Sequence, residues 1–232
     1  MNLLTIFLMA VSIIMCLPAC SSVSIVGGMT PREELVTRVK SKPELAVLFV
    51  GNSYSFGVPK AFTKLAATRG KRVRCGHSTF GGWTLGQHAV SESTLKKIRQ
   101  GSWDIIVFQE QSEIPAMSPR KRARLMFPPL RKLAQEARDH GAIPVLYQTW
   151  GRRDGDTNRK HDNFLAMNQR LREGYQAAAK DAGGLVVIPV GDAWEREISA
   201  TTGRELFITD GSHPNAFGDE VTAEVFYQSF WK

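Results

Sequence analysis

Five short apolar runs, spaced along the chain and separated by stretches of helical character, constrain this sequence most. Residues 45–50 read LAVLFV, 104–108 DIIVF, 143–149 IPVLYQT and 185–189 LVVIP, and residues 73–77 form a shorter run. Apart from residues 73–77 (VRCGH), these runs are apolar almost throughout rather than alternating, which predicts strands buried on both faces, as in a parallel sheet. Helices are predicted over 31–41 (PREELVTRVKS), 57–68, part of 82–100, 119–140, 163–181 and 214–231. The 119–140 segment is basic and amphipathic, with a kink expected at Pro128-Pro129. In 163–181 the apolar positions are Phe164, Leu165, Met167, Leu171, Tyr175 and Ala178, and in 214–231 they include Ala216, Val221, Val225 and Phe226. Strands alternating with helices give an α/β three-layer sandwich around a mainly parallel five-stranded sheet. Such sheets carry their chemistry at the carboxyl ends of the strands.

The N-terminus reads as a targeting segment. Residues 3–19 (LLTIFLMAVSIIMCLPA) form an apolar run of signal-peptide length, ending at Cys20 and Ser21-Ser22. Leu17-Pro18-Ala19-Cys20 resembles the bacterial lipobox, in which a small residue precedes a cysteine that takes a lipid and becomes the new N-terminus. Residues 1–20 are therefore expected to be a signal peptide with a lipobox, 21–42 a linker and short helix, and 43–232 a single domain. An ordinary secretory signal and a retained membrane span are the other two readings of the same run. All three place the domain outside the cytoplasm, and the first anchors it to the cell envelope by lipid. With Cys16 removed and Cys20 lipidated, Cys75 has no partner for an intramolecular disulfide. It is read as a small buried hydrophobe.

The formal net charge is +8, with clusters at Lys71-Arg72-Arg74, Arg120-Lys121-Arg122-Arg124 and Arg152-Arg153. A solvated surface explains such clusters, and attraction to an anionic surface or polymer is the sharper alternative. No nucleic-acid-binding motif accompanies the charge, so nucleic acid is not expected as a partner.

Two polar segments stand where chemistry is expected. The first apolar run ends in Gly51-Asn52-Ser53-Tyr54-Ser55. A serine there is either a nucleophile exposed at the top of the sheet or a cap on the following helix. Before the last helix comes Asp210-Gly211-Ser212-His213-Pro214. A serine hydroxyl is a weak nucleophile without a base. A histidine supplies the base, and a carboxylate orients its ring and stabilises the imidazolium. Asp and His three residues apart on one loop deliver both.

FVGNSYS and DGSHP, in this chain order, resemble the first and last blocks of the SGNH (GDSL-like) hydrolase superfamily, with Asn52 where the family has Asp and with DxxH matched in full. The exported bacterial branch is the relevant one. The resemblance brackets Gly51 to His213 and implies the flavodoxin-like SGNH fold, Ser53 as nucleophile, His213 as base and Asp210 as its partner. It also implies oxyanion donors from two middle blocks. The second is matched by Gly82 in STFGGWTLGQH. The third, GxND in the family, is divergent: Gln109-Glu110-Gln111-Ser112 follows the third run. A glutamine carries the same amide on a longer arm, and Gln109, nearest the strand, is favoured over Gln111. No metal and no organic cofactor are implied.

The expected activity is that of a serine esterase working through an acyl-enzyme, with O-acetyl groups of a carbohydrate as a candidate substrate. An O-acyltransferase on the same machinery, and a glycan-binding envelope lipoprotein without activity, are the alternatives. Oligomeric state is not legible. His77 and His88 lie near the Gly82 loop and are read as structural or substrate-contacting. Trp150, after the fourth run, is read as a core residue or a sugar platform. Asp192 is read as structural, Glu110 as a carboxylate lacking an evident partner, and His161 as solvated.

Overall fold

The computed structural model describes residues 29–200 and 205–232, so Cys20 and the rest of the N-terminal segment lie outside the described residues. Strands β1 (Leu45–Gly51), β2 (Val73–Thr79), β3 (Ile105–Phe108), β4 (Ile143–Gln148) and β5 (Val186–Pro189) form one sheet in the order β2-β1-β3-β4-β5. Every pairing is parallel. The expected α/β three-layer architecture is found, with five strands and no antiparallel member.

The period of two along β1 shows why the run had to be continuously apolar. Val47 and Phe49 enter one core, Leu48 and Val50 the other, and all four are fully buried. The first core lies under α1 (Pro31–Ser41), α2 (Val58–Thr68), α8 (Val190–Ser199) and α9 (Ala216–Trp231), through Leu35, Phe62, Trp194 and Phe226. The second lies under α3 (Leu85–His88), α4 (Glu92–Gln100), α6 (Phe127–Asp139) and α7 (Phe164–Asp181), through Leu85, Ile98, Leu133 and Tyr175. Helix α1 opens with a capping box built by Thr30 and Glu33 and docks by Leu35 and Val39. Its Arg38 donates to Gly141 O at 2.8 Å.

Three helix expectations change. The 119–140 segment is two helices, α5 (Pro119–Leu125) and α6, broken at Met126 rather than kinked at Pro128-Pro129. Those prolines sit in the first turn of α6, where no N–H donor is needed. Helix α8 follows β5 directly and had no counterpart in the periodicity, because Gly191 and Asp192 interrupt its start. Helix α9 is capped by Asn215, which accepts from Gly218 N at 2.9 Å. Its buried face is Thr222, Ala223, Phe226, Tyr227 and Phe230, leaving Val221 and Val225 at the margin and Ala216 exposed. Leu165 of α7 is likewise exposed. Among the described residues no helix is long and apolar enough to cross a membrane.

Candidate active site

The carboxyl end of β1 delivers a tight turn. Gly51 is required there by close approach, since a Cβ would stand 2.5 Å from Gln109 Oε1. Asn52 then caps a single 3-10 turn, Ser53–Ser55, its Oδ1 accepting from Tyr54 N at 3.2 Å. The cap is Asn52, not Ser53. Ser55 is buried and donates to Gln109 Oε1 at 3.1 Å.

Ser53 Oγ is thus left to point elsewhere, and it lies 2.8 Å from His213 Nε2. His213 Nδ1 lies 2.6 Å from Asp210 Oδ2. The other carboxylate oxygen of Asp210 accepts from the backbone N–H groups of Ser212, at 2.8 Å, and His213, at 3.0 Å. Burial works against the charge on Asp210, but its bonds from His213 and Ser212 hold the carboxyl down at about 2. Asp210 therefore stays ionised through the neutral range and fixes the Nδ1 side of the ring, leaving Nε2 facing the serine.

The loop bearing Asp210 and His213 is held from the far side of the cleft. Trp150, after β4, donates its indole N–H to Ser212 O at 3.0 Å, and Arg153 N donates to Gly211 O at 2.8 Å. Tyr54 Oη is 2.5 Å from Ser212 Oγ, and its ring meets His213 edge to face at 5.3 Å. Tyr54 stacks on Trp150, which stacks on Trp194, both pairs within 1° of parallel. Trp150 is fully buried, so it belongs to the core and offers no face to a sugar. Tyr54 had no sequence signal beyond adjacency to Ser53, and Arg153 none beyond its place in a basic cluster.

The second arm is the turn at Phe80–Trp83. Gly82 has φ +72°, a conformation that favours glycine, and open space surrounds the position a Cβ would take. Neither the Ser53 N–H nor the Gly82 N–H donates to a described residue. Asn52 joins the two turns, because its Nδ2 donates to Trp83 O at 3.0 Å. An aspartate at this position would be acceptor-only and could not make that bond. The departure from the family's first block therefore has a local reason.

Gln109 supports the same turn and is 1% exposed. Its Oε1 accepts from Asn52 N at 2.9 Å, and its Nε2 donates to Asn52 Oδ1 at 3.0 Å and to Glu110 O. Both amide hydrogens are committed inside the protein. Gln111 is half-buried, its Oε1 accepts from Glu113 N at 2.8 Å, and its Nε2 makes one long contact, 3.4 Å, with Ser112 Oγ. Of the pair, Gln111 is the one that keeps an amide hydrogen uncommitted among the described residues.

Glu110 is fully buried beneath this turn. Its Oε1 accepts from Leu85 N at 3.0 Å and Gln111 N at 2.7 Å, lashing the Gly82 segment to the loop after β3, while Oε2 has no partner among the described residues. Burial, opposed by those two bonds, pushes its carboxyl up to about 7. The folded protein thus holds this proton more tightly than the unfolded chain, where the ordinary value is 4.5. Stability should fall as pH rises from about 4.5 to about 7 and then level. Glu110→Gln keeps the Oε1 acceptor and removes the titration, so it should flatten that fall by up to about 3 kcal/mol. Urea denaturation near pH 5 and pH 8 measures it, and an unchanged pH dependence in the variant would contradict the assignment.

The remaining candidates divide between buried and exposed positions. His88 is fully buried between Thr94 Oγ1 at 3.0 Å and Gly51 O at 2.9 Å, and burial lowers its pKa. Asp192 is bridged by Arg172 at 2.8 Å and Gln148 at 2.7 Å. His161 is exposed. Cys75 is half-buried, its thiol pushed up to about 11 by burial. His77 is exposed on β2. Among the described residues no group of three His, Cys, Asp or Glu side chains is placed to hold a metal ion.

No protein-family model matches the chain, and no curated protein matches it. Solved structures do. A DUF4886 family protein from Bacteroides uniformis superposes with a TM-score of 0.67 at 19% identity, covering 81% of this chain and 83% of its own. A lipase/acylhydrolase from Enterococcus faecalis gives 0.57 at 16% identity, covering 79% and 94%. A variant of an acetyl-xylooligosaccharide esterase from Geobacillus stearmophilus gives 0.58 at 14% identity, covering 80% and 94%. At these identities the likeness establishes the fold, and it runs over 83% to 94% of each neighbour. The chain has the SGNH (GDSL-like) hydrolase fold.

Proposed function

We propose that this protein is a serine esterase that works through an acyl-enzyme, with carbohydrate O-acetyl groups as its substrate. The observation that carries the reading is the relay Ser53 Oγ–His213 Nε2–His213 Nδ1–Asp210 Oδ2, at 2.8 Å and 2.6 Å, at the carboxyl edge of a parallel sheet. Solved structures that share the fold include proteins described as a lipase/acylhydrolase and an acetyl-xylooligosaccharide esterase, which favours ester chemistry.

In the proposed reaction, Ser53 Oγ attacks the ester carbonyl while its proton passes to His213 Nε2. Asp210 stabilises the imidazolium. The tetrahedral oxyanion is received by the N–H groups of Ser53 and Gly82, with the Gln111 amide as the side-chain donor and Gln109 as the residue that holds the turn. One such donor is typically worth about 3 kcal/mol of barrier. The imidazolium returns its proton to the leaving alkoxide, giving acyl-Ser53 and an alcohol. Water, deprotonated by His213, then cleaves the acyl-enzyme to a carboxylic acid and free Ser53. A fluorophosphonate probe tests the central claim, since it reports an activated serine without a choice of substrate. Labelling at Ser53, lost in Ser53→Ala, is the expected result, and an unlabelled wild-type protein would overturn the reading.

Export is proposed with it: residues 1–20 direct the chain out of the cytoplasm, and Cys20 takes a lipid that anchors it to the envelope. Cys20→Ala should then abolish incorporation of radiolabelled palmitate and move the protein from the membrane pellet to the soluble fraction. Equal incorporation in both forms would refute lipidation at this residue.

A further inference from the structure

From residue 45 to residue 91 the sequence contains no Asp and no Glu, while Lys60, Lys64, Arg69, Lys71, Arg72 and Arg74 all fall within it. That segment comprises β1, the nucleophile turn, α2, β2 and the Gly82 turn. The acid-free stretch is therefore one continuous side of the catalytic edge rather than charges scattered over the surface.

Between α2 and β2 lies an open hollow of about 680 Å³, within the size range of ligand sites. Its walls include Phe56, Lys60, Thr63 and Lys64 from one side and His77 and Thr79 from the other. Two of its wall residues neighbour the nucleophile turn, while Ser53 and His213 themselves do not line it. Phe56 closes the Ser53 turn, its N–H donating to Ser53 O at 3.2 Å, and its ring is 57% exposed. Thr79 is the register partner of Gly51, two residues before Ser53. His77 and Thr79 share one face of β2 and carry the hollow away from that end. Lys60 and Lys64 are one helical turn apart on the facing helix, about 6 Å along its axis.

Both lysines also border a second hollow that they share with Asp219, Glu220 and Glu224 of α9, without a direct bond to any of them. Neither forms an ion pair or a side-chain hydrogen bond among the described residues. On the opposite flank of α2, Glu224 is held by Arg69 at 2.7 Å, and Asp219 lies against Gly57. An exposed aromatic ring, two hydroxyls and two ammonium groups without a direct ion-pair partner in a concave channel suit a sugar chain that bears carboxylates. A membrane surface would instead ask for charge on a convex or flat face.

We infer that the α2–β2 hollow is a binding subsite for an anionic polysaccharide, so that the esters cleaved at Ser53 are those carried on acidic sugar chains. The inference rests on the esterase reading for its catalytic half only, since binding to the hollow needs no turnover. The test uses the full chain and a Lys60→Glu/Lys64→Glu variant whose folding is checked by circular dichroism. Binding of deacetylated polygalacturonate is measured first. The wild type should bind, more weakly as salt rises, and the variant should bind at least about tenfold more weakly. Equal binding by the two proteins, or none by the wild type, overturns the subsite whatever Ser53 does. The second measurement is the ratio of kcat/KM on acetylated polygalacturonate to that on acetylated xylan. It should exceed one in the wild type and fall about tenfold in the variant through KM. If neither polymer nor a short-chain ester is hydrolysed while the binding difference holds, the esterase reading fails and the subsite stands. If the variant loses only adhesion to phosphatidylglycerol vesicles and keeps the polymer ratio, the cations serve a lipid surface and the inference is wrong.

Discussion

Replacing Ser53 with alanine should lower kcat for short-chain ester hydrolysis by at least about 10³-fold, and Asp210→Asn should lower it by a similar order. The two losses have different origins. Ser53→Ala removes the atom that the proposed mechanism acylates, and residual catalysis would come only from the oxyanion donors and binding. Asp210→Asn leaves the serine in place but replaces an acceptor held at about 2 by a neutral amide, so His213 loses the partner that fixes Nδ1 and supports its positive charge. Neither change should cost much stability, because Ser53 is only half-buried and the Asp210 side chain is about two-fifths exposed. Initial rates with an acetyl ester, beside a thermal melt of each variant, separate the effects. Ser53→Ala retaining a tenth of wild-type activity would remove Ser53 from the mechanism.

Trp150→Ala should be the most damaging single change to the fold near the site, destabilising by about 3–5 kcal/mol. The indole is fully buried, stacked at 3.7 Å on Trp194 and 4.8 Å on Tyr54, so truncation opens a cavity that two planar neighbours cannot fill. For a chain of this size such a loss lowers the thermal midpoint by roughly 6–20 °C. The milder Trp150→Phe keeps an aromatic between the same faces but loses the bond to Ser212 O. It should reduce kcat more than it reduces the midpoint, because that bond tethers the loop carrying His213. A Trp150→Ala protein that melts within 2 °C of wild type would show that the stack is dispensable, against roughly 6–20 °C expected.

The site was legible to different depths at different residues. Ser53, Asp210 and His213 could be picked out because each sits in a short local pattern, and the last two are only three residues apart. The structure brings them into one relay by joining the end of β1 to the loop before α9. The choice between Gln109 and Gln111 was not decidable from spacing. It depends on which amide is already satisfied, and Gln109 is consumed by Asn52 and Glu110. Asn52 in place of aspartate reads as a mismatch in the sequence, yet its amide bridges two turns thirty-one residues apart. The sequence marks Trp150 and Arg153 only as an aromatic after a strand and as part of a basic cluster, and Tyr54 not at all, since what they do is defined by a loop roughly sixty residues or more away in the chain.

Helices show the same division. The break at Met126 and the buried face of α9 were set by what packs against them, not by the period of their own residues. The apolar runs that became β1, β3 and β4 determined by themselves that this chain forms a doubly covered parallel sheet, because burial on both faces leaves a signal in consecutive residues, whereas β2 at the sheet edge is largely exposed or half-buried and left a weaker one. Only the tertiary structure decided which polar groups at its edge meet and which are already satisfied. Hydrogen bonds form between atoms at about 3 Å, and the partners of a buried amide come from segments whose separation along the chain sets no distance in space.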